Sequence, residues 1–212
     1  MRCEFLFDLN NAENNQLNLE TTAPYSLNYL IFIQNLFLNN NNNQQQSLFP
    51  DFNSSDWGIL PEGEFDIEFK KIWNEVIYKN VQNQYYDNNG VLENDSSFYR
   101  QLFDRNVNGE FGFSESVKLF LSWWNGFYGK IAIEGLFESG GGHEIYNELS
   151  KSLKLYNLNN SQFKINIINI IYDKQRLFST TYSLSYAVLP IQELFLNKTE
   201  IVPNLLEGFK KP

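Results

Sequence analysis

Phe65, Phe69, Ile72, Trp73, Val76, Ile77 and Asn80 recur three and four residues apart, while Glu64, Glu68, Lys70 and Lys71 fall on the other side. That period places the apolar set on one stripe of a helix, and such a stripe is stable only against a second apolar surface. Residues 27–38 supply one, being long and apolar enough for a buried helix, with Thr21 and Thr22 placed to cap it; periodicity alone also allows a strand there. Between the two lies NNNNNQQQ at 39–46, which has nothing apolar to bury and reads as a mobile surface loop.

The remaining pattern is mixed. Residues 3–8 read as a short strand, and Asp87, Asn88, Asn89 and Gly90 break the long helix. Asp95 and Ser96 are placed to cap a short helix carrying Phe98, Leu102 and Phe103. A second short helix carries Val117, Phe120, Leu121 and Trp124 and stops at Asn125 and Gly126. Residues 127–137 read as a strand, Ser139 to Gly142 as a turn, and Ile145, Leu149, Leu153 and Tyr156 as an amphipathic helix. Residues 163–172 and 177–189, joined by Asp173, Lys174 and Gln175, read as a hairpin whose second strand puts Phe178, Tyr182, Leu184, Tyr186 and Val188 on one face. Pro190 then opens a closing helix with Leu194 and Phe195. The expected fold is α+β: a single domain over 1–212 with an antiparallel sheet, including the C-terminal hairpin, packed against several helices.

Charge excludes one class of partner. With a formal net charge of −9 and a pI near 4.7, the chain repels a phosphate backbone, so nucleic acid is not expected. The apolar run 29–38 is broken by Gln34 and Asn35 and is about half the length needed to cross a bilayer. No membrane span is expected. Glu4 and Asp8 interrupt what a secretion signal needs to be apolar, which implies a cytoplasmic protein if the N-terminus is native and an extracellular one if a signal has been removed. The lone Cys3 makes neither an internal disulfide nor a cysteine metal cage. Asparagine is in excess, 30 residues against four alanines, so Asn-containing motifs arise by chance and the Asn-x-Ser/Thr sequons at Asn53, Asn94, Asn159 and Asn197 carry no weight.

One pattern has chemistry in it. Asp104, Asn106, Asn108, Gly109 and Glu115 fit D-x-[DN]-x-[DN]-G-x5-E. A hard divalent cation takes six to eight oxygens, and those of the first, third and fifth positions converge only if the chain turns sharply at the sixth, here Gly109. Residues 95–125 thus resemble an EF-hand, with Phe98, Leu102 and Phe103 before the loop and Val117, Phe120 and Leu121 after it facing a core. The resemblance implies Ca2+ held by the side chains of Asp104, Asn106, Asn108 and Glu115 and by the Glu110 carbonyl, with a water near Gly112 and Phe111 where a paired loop would add a short strand. No second loop is present, and only Asp104 and Glu115 carry charge among the side-chain ligands. The implied dissociation constant is therefore about 10⁻⁴–10⁻³ M. An Asn/Gly-rich helix–turn–helix connection, its polar side chains capping backbone groups, accounts for the same residues.

Weaker features have plain readings beside them. His143, the only histidine, follows three glycines and invites an anion site or a hydrolase centre, but a turn explains it. Trp123, Trp124, Phe127 and Tyr128 suit either an aromatic binding platform or core. The expected function is a non-enzymatic protein-interaction module carrying one low-affinity calcium loop. The alternative is a metal-free acidic inhibitor or immunity-type protein that binds a basic protein partner.

Overall fold

In the computed structural model, residues 3–4, 19–41, 47–83, 85–155, 166–178 and 186–210 are described. They divide into a helical unit, residues 24–131 with 175–179, and a sheet unit, residues 1–23, 132–174 and 180–212.

The helical unit is organised on α1 (Tyr25–Asn41), of which every residue from Ser26 to Phe37 is buried. A helix buried all round needs no amphipathic stripe, which is why its sequence shows none. Its buried polar groups are bonded: Asn28 Nδ2 donates to the Pro24 carbonyl at 2.8 Å and Asn35 Nδ2 to the Phe49 carbonyl at 2.8 Å. The cap does not come from Thr21 and Thr22, which lie in a strand. Instead Asp87 accepts from the amides of Tyr25 at 2.6 Å and Ser26 at 2.8 Å, across some sixty residues of sequence. Of the loop expected over 39–46, residues 39–41 belong to α1 instead, and residues 42–46 lie outside the described set.

Helix α2 (Glu64–Gln82) buries Phe65, Phe69, Ile72, Trp73, Val76 and Asn80, the stripe read from the sequence apart from half-buried Ile77. Phe37 stacks on Phe65 at 4.0 Å, Phe65 on Phe69 at 5.5 Å and Phe69 on Trp73 at 6.0 Å. After α3 (Val91–Asn94), the expected short helix is α4 (Ser96–Tyr99) followed by a 3₁₀ turn over Arg100–Leu102. Asp95 makes no side-chain cap there. The next helix, α5, is longer than expected, running Val107–Trp124.

The sheet unit overturns the expected antiparallel sheet. Strands β1 (Cys3–Glu4), β2 (Leu19–Thr22), β3 (Asn166–Ile171) and β4 (Tyr186–Pro190) lie in that order, and β2, β3 and β4 are parallel; only the two-residue β1 runs against its neighbour. The C-terminal hairpin is likewise corrected. Ile167 pairs with Tyr186 and Ile171 with Pro190 in parallel register, which a tight turn after Ile171 cannot produce; the interval between the two strands has about the dozen residues that parallel neighbours require. The physical sign was present: Ile168, Asn169, Ile170 and Ile171, then Tyr186, Ala187, Val188 and Leu189, are buried consecutively, as in strands covered on both faces. The alternation read over 178–188 falls mostly outside the described residues.

Residues 127–137 also do not form a strand. They are a turn followed by α6 (Lys130–Phe137), which buries Ile133 and Phe137 four apart. A five-residue π turn over Glu138–Gly142, with Gly141 at φ 111°, leads into α7 (His143–Leu155). Pro190 closes β4 rather than opening a helix, and the chain ends in α8 (Glu193–Leu196) and α9 (Lys198–Lys210). Among the described residues no helix is long and apolar enough to cross a membrane.

Candidate functional site

The residues of the calcium pattern sit where a short bridge meets the start of α5. Gly58, at φ +59°, offers its carbonyl to the Asp104 amide at 2.7 Å, Ile59 bridges Phe103, and the Leu60 amide donates to the Leu102 carbonyl at 3.0 Å. The chain then turns into α5 at Asn106, whose backbone is extended and whose Oδ1 accepts from the Gly109 amide at 2.9 Å. This is an asparagine N-cap, satisfying a donor that the first turn leaves over. Glu110, in that first turn, is favoured by the helix dipole and is ion-paired with Arg100.

Down the buried side of α5 run Gly109, Gly112, Ser116, Phe120 and Trp124, small residues first and large ones after. The glycines are required by backbone proximity. A Cβ on Gly112 would stand 2.6 Å from Trp57 Cβ and 2.7 Å from its carbonyl carbon, and one on Gly109 would stand 2.8 Å from the Asp104 carbonyl carbon. Further along, Ser116 Oγ shares a 2.8 Å hydrogen bond with Tyr29 Oη, whose pKa burial holds well above its usual value, the Ser116 bond acting the other way. Phe120 packs edge-on to Tyr29 and Phe32 and stacks on Trp124.

Of the five residues expected to hold Ca2+, the structure brings two together: Asn106 Nδ2 lies 3.4 Å from Asp104 Oδ2. Asn108, Glu110 and Glu115 are dispersed along the first turns of α5. Asn108 and Glu110 are exposed, and Glu115 pairs with Lys118 at 3.3 Å. Among the described residues no three His, Cys, Asp or Glu side chains group closely enough to hold a metal ion. Asp104 instead borders a cleft of about 420 Å³ with Glu64, Glu68, Lys71, Gln101 and Arg105. Two of its charges face each other: Lys71 Nζ donates to Glu68 at 2.9 Å and also to the Gln101 amide oxygen at 3.0 Å.

A polar network that sequence reasoning missed lies at the other end of the unit. Asp95 accepts from Lys79 at 3.0 Å and from the Tyr86 hydroxyl at 2.8 Å, with Lys79 Nζ also 4.5 Å above the Phe98 ring. Burial pushes the Asp95 carboxyl up, but the Lys79 and Tyr86 hydrogen bonds and the Lys79 charge outweigh it, so its pKa falls below the ordinary value. Burial pushes the Tyr86 and Tyr99 hydroxyls and the Asp87 carboxyl up; at Asp87 the Ser26 and Tyr25 hydrogen bonds and the Lys130 charge pull the other way. Each of these groups is committed to holding a helix end or a helix pair. The sequence carries no signal for this beyond the acids themselves, because the partners are far apart in the chain.

The aromatic run divides. Trp124 is fully buried, whereas Phe127 and Tyr128 are each 85% exposed and Ile131 is 66% exposed. The turn that carries them is pinned at its base: Tyr25 Oη donates to Asn125 Oδ1 at 2.8 Å, Lys130 Nζ lies 5.0 Å from the Tyr25 ring centre, and a Cβ on Gly129 would stand 2.5 Å from the Trp123 carbonyl oxygen. In the sheet unit, His143 is exposed at the start of α7. The glycines before it form the expected turn, and a Cβ on Gly142 would stand 2.5 Å from the Phe137 ring. No protein-family model, curated protein or solved structure matches this chain.

Proposed function

We propose that the chain works by binding a protein partner, without a metal ion and without catalysis, through the aromatic turn over 125–131. The observation that carries this reading is the pair of rings at Phe127 and Tyr128, presented with Ile131 on a base fixed by Trp124, Asn125 and Gly129. Large rings have few rotamers to lose and about 150–250 Å² each to bury, which makes a projecting aromatic turn an economical anchor. The net charge of −9 favours a partner with a basic surface, steering encounter rather than setting affinity.

The metal-free part of the reading is supported by what ion binding would cost. A cation-holding loop over 104–115 requires residues 107–112 to leave the helix, giving up the Asn106 cap and the contacts of Gly109 and Gly112. The perturbed acids are occupied in capping and pairing rather than aimed at an open cleft.

The test is a photo-crosslinking residue at exposed Ser122, with Glu75 on α2 as the control position, introduced into the chain in its own cells. A discrete adduct from position 122 that disappears in Phe127→Ala/Tyr128→Ala is the expected result. Because both rings are exposed, that variant keeps its folding stability within about 0.5 kcal/mol. No adduct, or one indifferent to the two alanines, removes the turn as the binding surface.

A further inference from the structure

Gln34 and Asn35 are unusual residues for the middle of a buried helix, since each is 0% exposed on α1 among Ile33, Leu36 and Phe37. Two amides placed there cost free energy unless every polar atom is used. Their oxygens are used by one short piece of chain. Gln34 Oε1 accepts from the Arg176 amide at 2.8 Å and Asn35 Oδ1 accepts from Arg176 Nη1 at 3.3 Å. Gln34 Nε2 in turn donates to Asn35 Oδ1 at 3.2 Å, which orients the pair. Two residues on, Phe178 caps the aromatic ladder of α2, 6.2 Å from the Phe69 ring and 6.0 Å edge-on to Trp73, with Lys70 Nζ 5.8 Å from its centre. Gln175 Oε1 accepts from the Phe178 amide at 3.3 Å and closes the segment on itself.

This segment has the anatomy of a bound peptide rather than of a core element. It forms neither helix nor strand, it belongs to the helical unit while the residues on both sides belong to the sheet unit, and it is read by one cationic and one aromatic anchor spaced i and i+2. Anchors of those two kinds dominate peptide and protein interfaces.

We propose that the α1–α2 face of the helical unit is a receptor for an Arg-x-Phe peptide bent as residues 175–178 are, and that the chain's own residues 175–178 occupy it as a tethered ligand. Tethering gives the internal segment an effective concentration of the order of millimolar, so an external peptide of the same chemistry competes poorly until the segment is removed. The partner class is a protein displaying Arg-x-Phe in an irregular, bent stretch free of helix and strand. The inference does not use the aromatic turn, and either reading survives the loss of the other.

The experiment uses the full chain and a fluorescein-labelled synthetic peptide of residues 173–179, read by fluorescence anisotropy. Arg176→Ala/Phe178→Ala, which empties the face, is expected to bind the peptide at least about tenfold more tightly than the unsubstituted chain does. Replacing the arginine and phenylalanine of the peptide by alanine is expected to abolish the gain. Binding that ignores those peptide substitutions, or none to a folded double variant, overturns the proposal. Should the double variant fail to fold, hydrogen exchange on the unsubstituted chain decides. Millimolar peptide must then raise exchange at residues 175–178 while the α1 amides stay protected, and unchanged exchange there overturns it.

Discussion

Gly112→Ala is expected to lose about 3 kcal/mol of stability, read as a drop in the denaturant midpoint with an unchanged slope. In an exposed helical position the same substitution gains up to about 1 kcal/mol, because alanine surrenders less backbone entropy than glycine. Here the new Cβ meets the main chain and Cβ of Trp57, and main chain cannot step aside as the end of a flexible side chain can. Trp57 is itself buried and is followed by Gly58 at φ +59°, so retreat on that side would break the bond from the Asp104 amide to the Gly58 carbonyl. Gly135→Ala in α6 is the internal control: nothing lies within 4 Å of a Cβ there, and that change is expected to be neutral or mildly stabilising. Equal effects at the two positions would mean that α5 does not approach Trp57 as described.

The second large effect is at Asp87. Asp87→Ala leaves the Tyr25 and Ser26 amides of α1 without their acceptor in a part of the unit where Ser26 is fully buried. Losing a helix cap typically costs about 1 kcal/mol, and leaving a buried donor unsatisfied about 1–3 kcal/mol, so a loss of about 2–3 kcal/mol is expected in chemical denaturation. Asp87→Asn keeps one acceptor oxygen and is expected to lose less than the alanine variant. A loss below about 0.5 kcal/mol in Asp87→Ala, the size of an ordinary surface change, would show that α1 is capped in some other way.

These two residues also mark what the sequence makes legible and what it hides. Helix α2 could be read at sight because its buried stripe and charged side are written at one period within one segment. The cap of α1 could not: Asp87 sits among turn residues, and nothing local says that its carboxylate serves a helix some sixty residues earlier. The sheet was misread because a short polar interval, Asp173 to Gln175, is the signature of a hairpin turn, whereas here the chain leaves β3, places Arg176 and Phe178 in the other unit and returns to β4 in parallel. Residues 127–137 were misread because β-branched and aromatic side chains outweighed the four-residue spacing of Ile133 and Phe137.

The stretch 104–115 is a different kind of ambiguity. An asparagine before a helix and glycines within its first turns answer equally to an ion loop, which needs oxygens and a sharp bend, and to an N-cap with close backbone packing. The residue types required are the same, so composition and spacing alone do not separate the two. The neighbour that bears on the choice is Trp57, whose main chain and Cβ a Cβ on Gly112 would meet.

Calorimetric titration of the full chain with calcium, alongside Asp104→Ala/Glu115→Ala and with the Cα chemical shifts of residues 107–115 followed in parallel, tests the metal-free reading most directly. The account predicts helical shifts from Val107 onward that do not move up to millimolar calcium, and no heat beyond dilution. A saturable heat that vanishes in the double variant, accompanied by loss of helical shifts over 107–112, would contradict it and return the stretch to a calcium-binding loop.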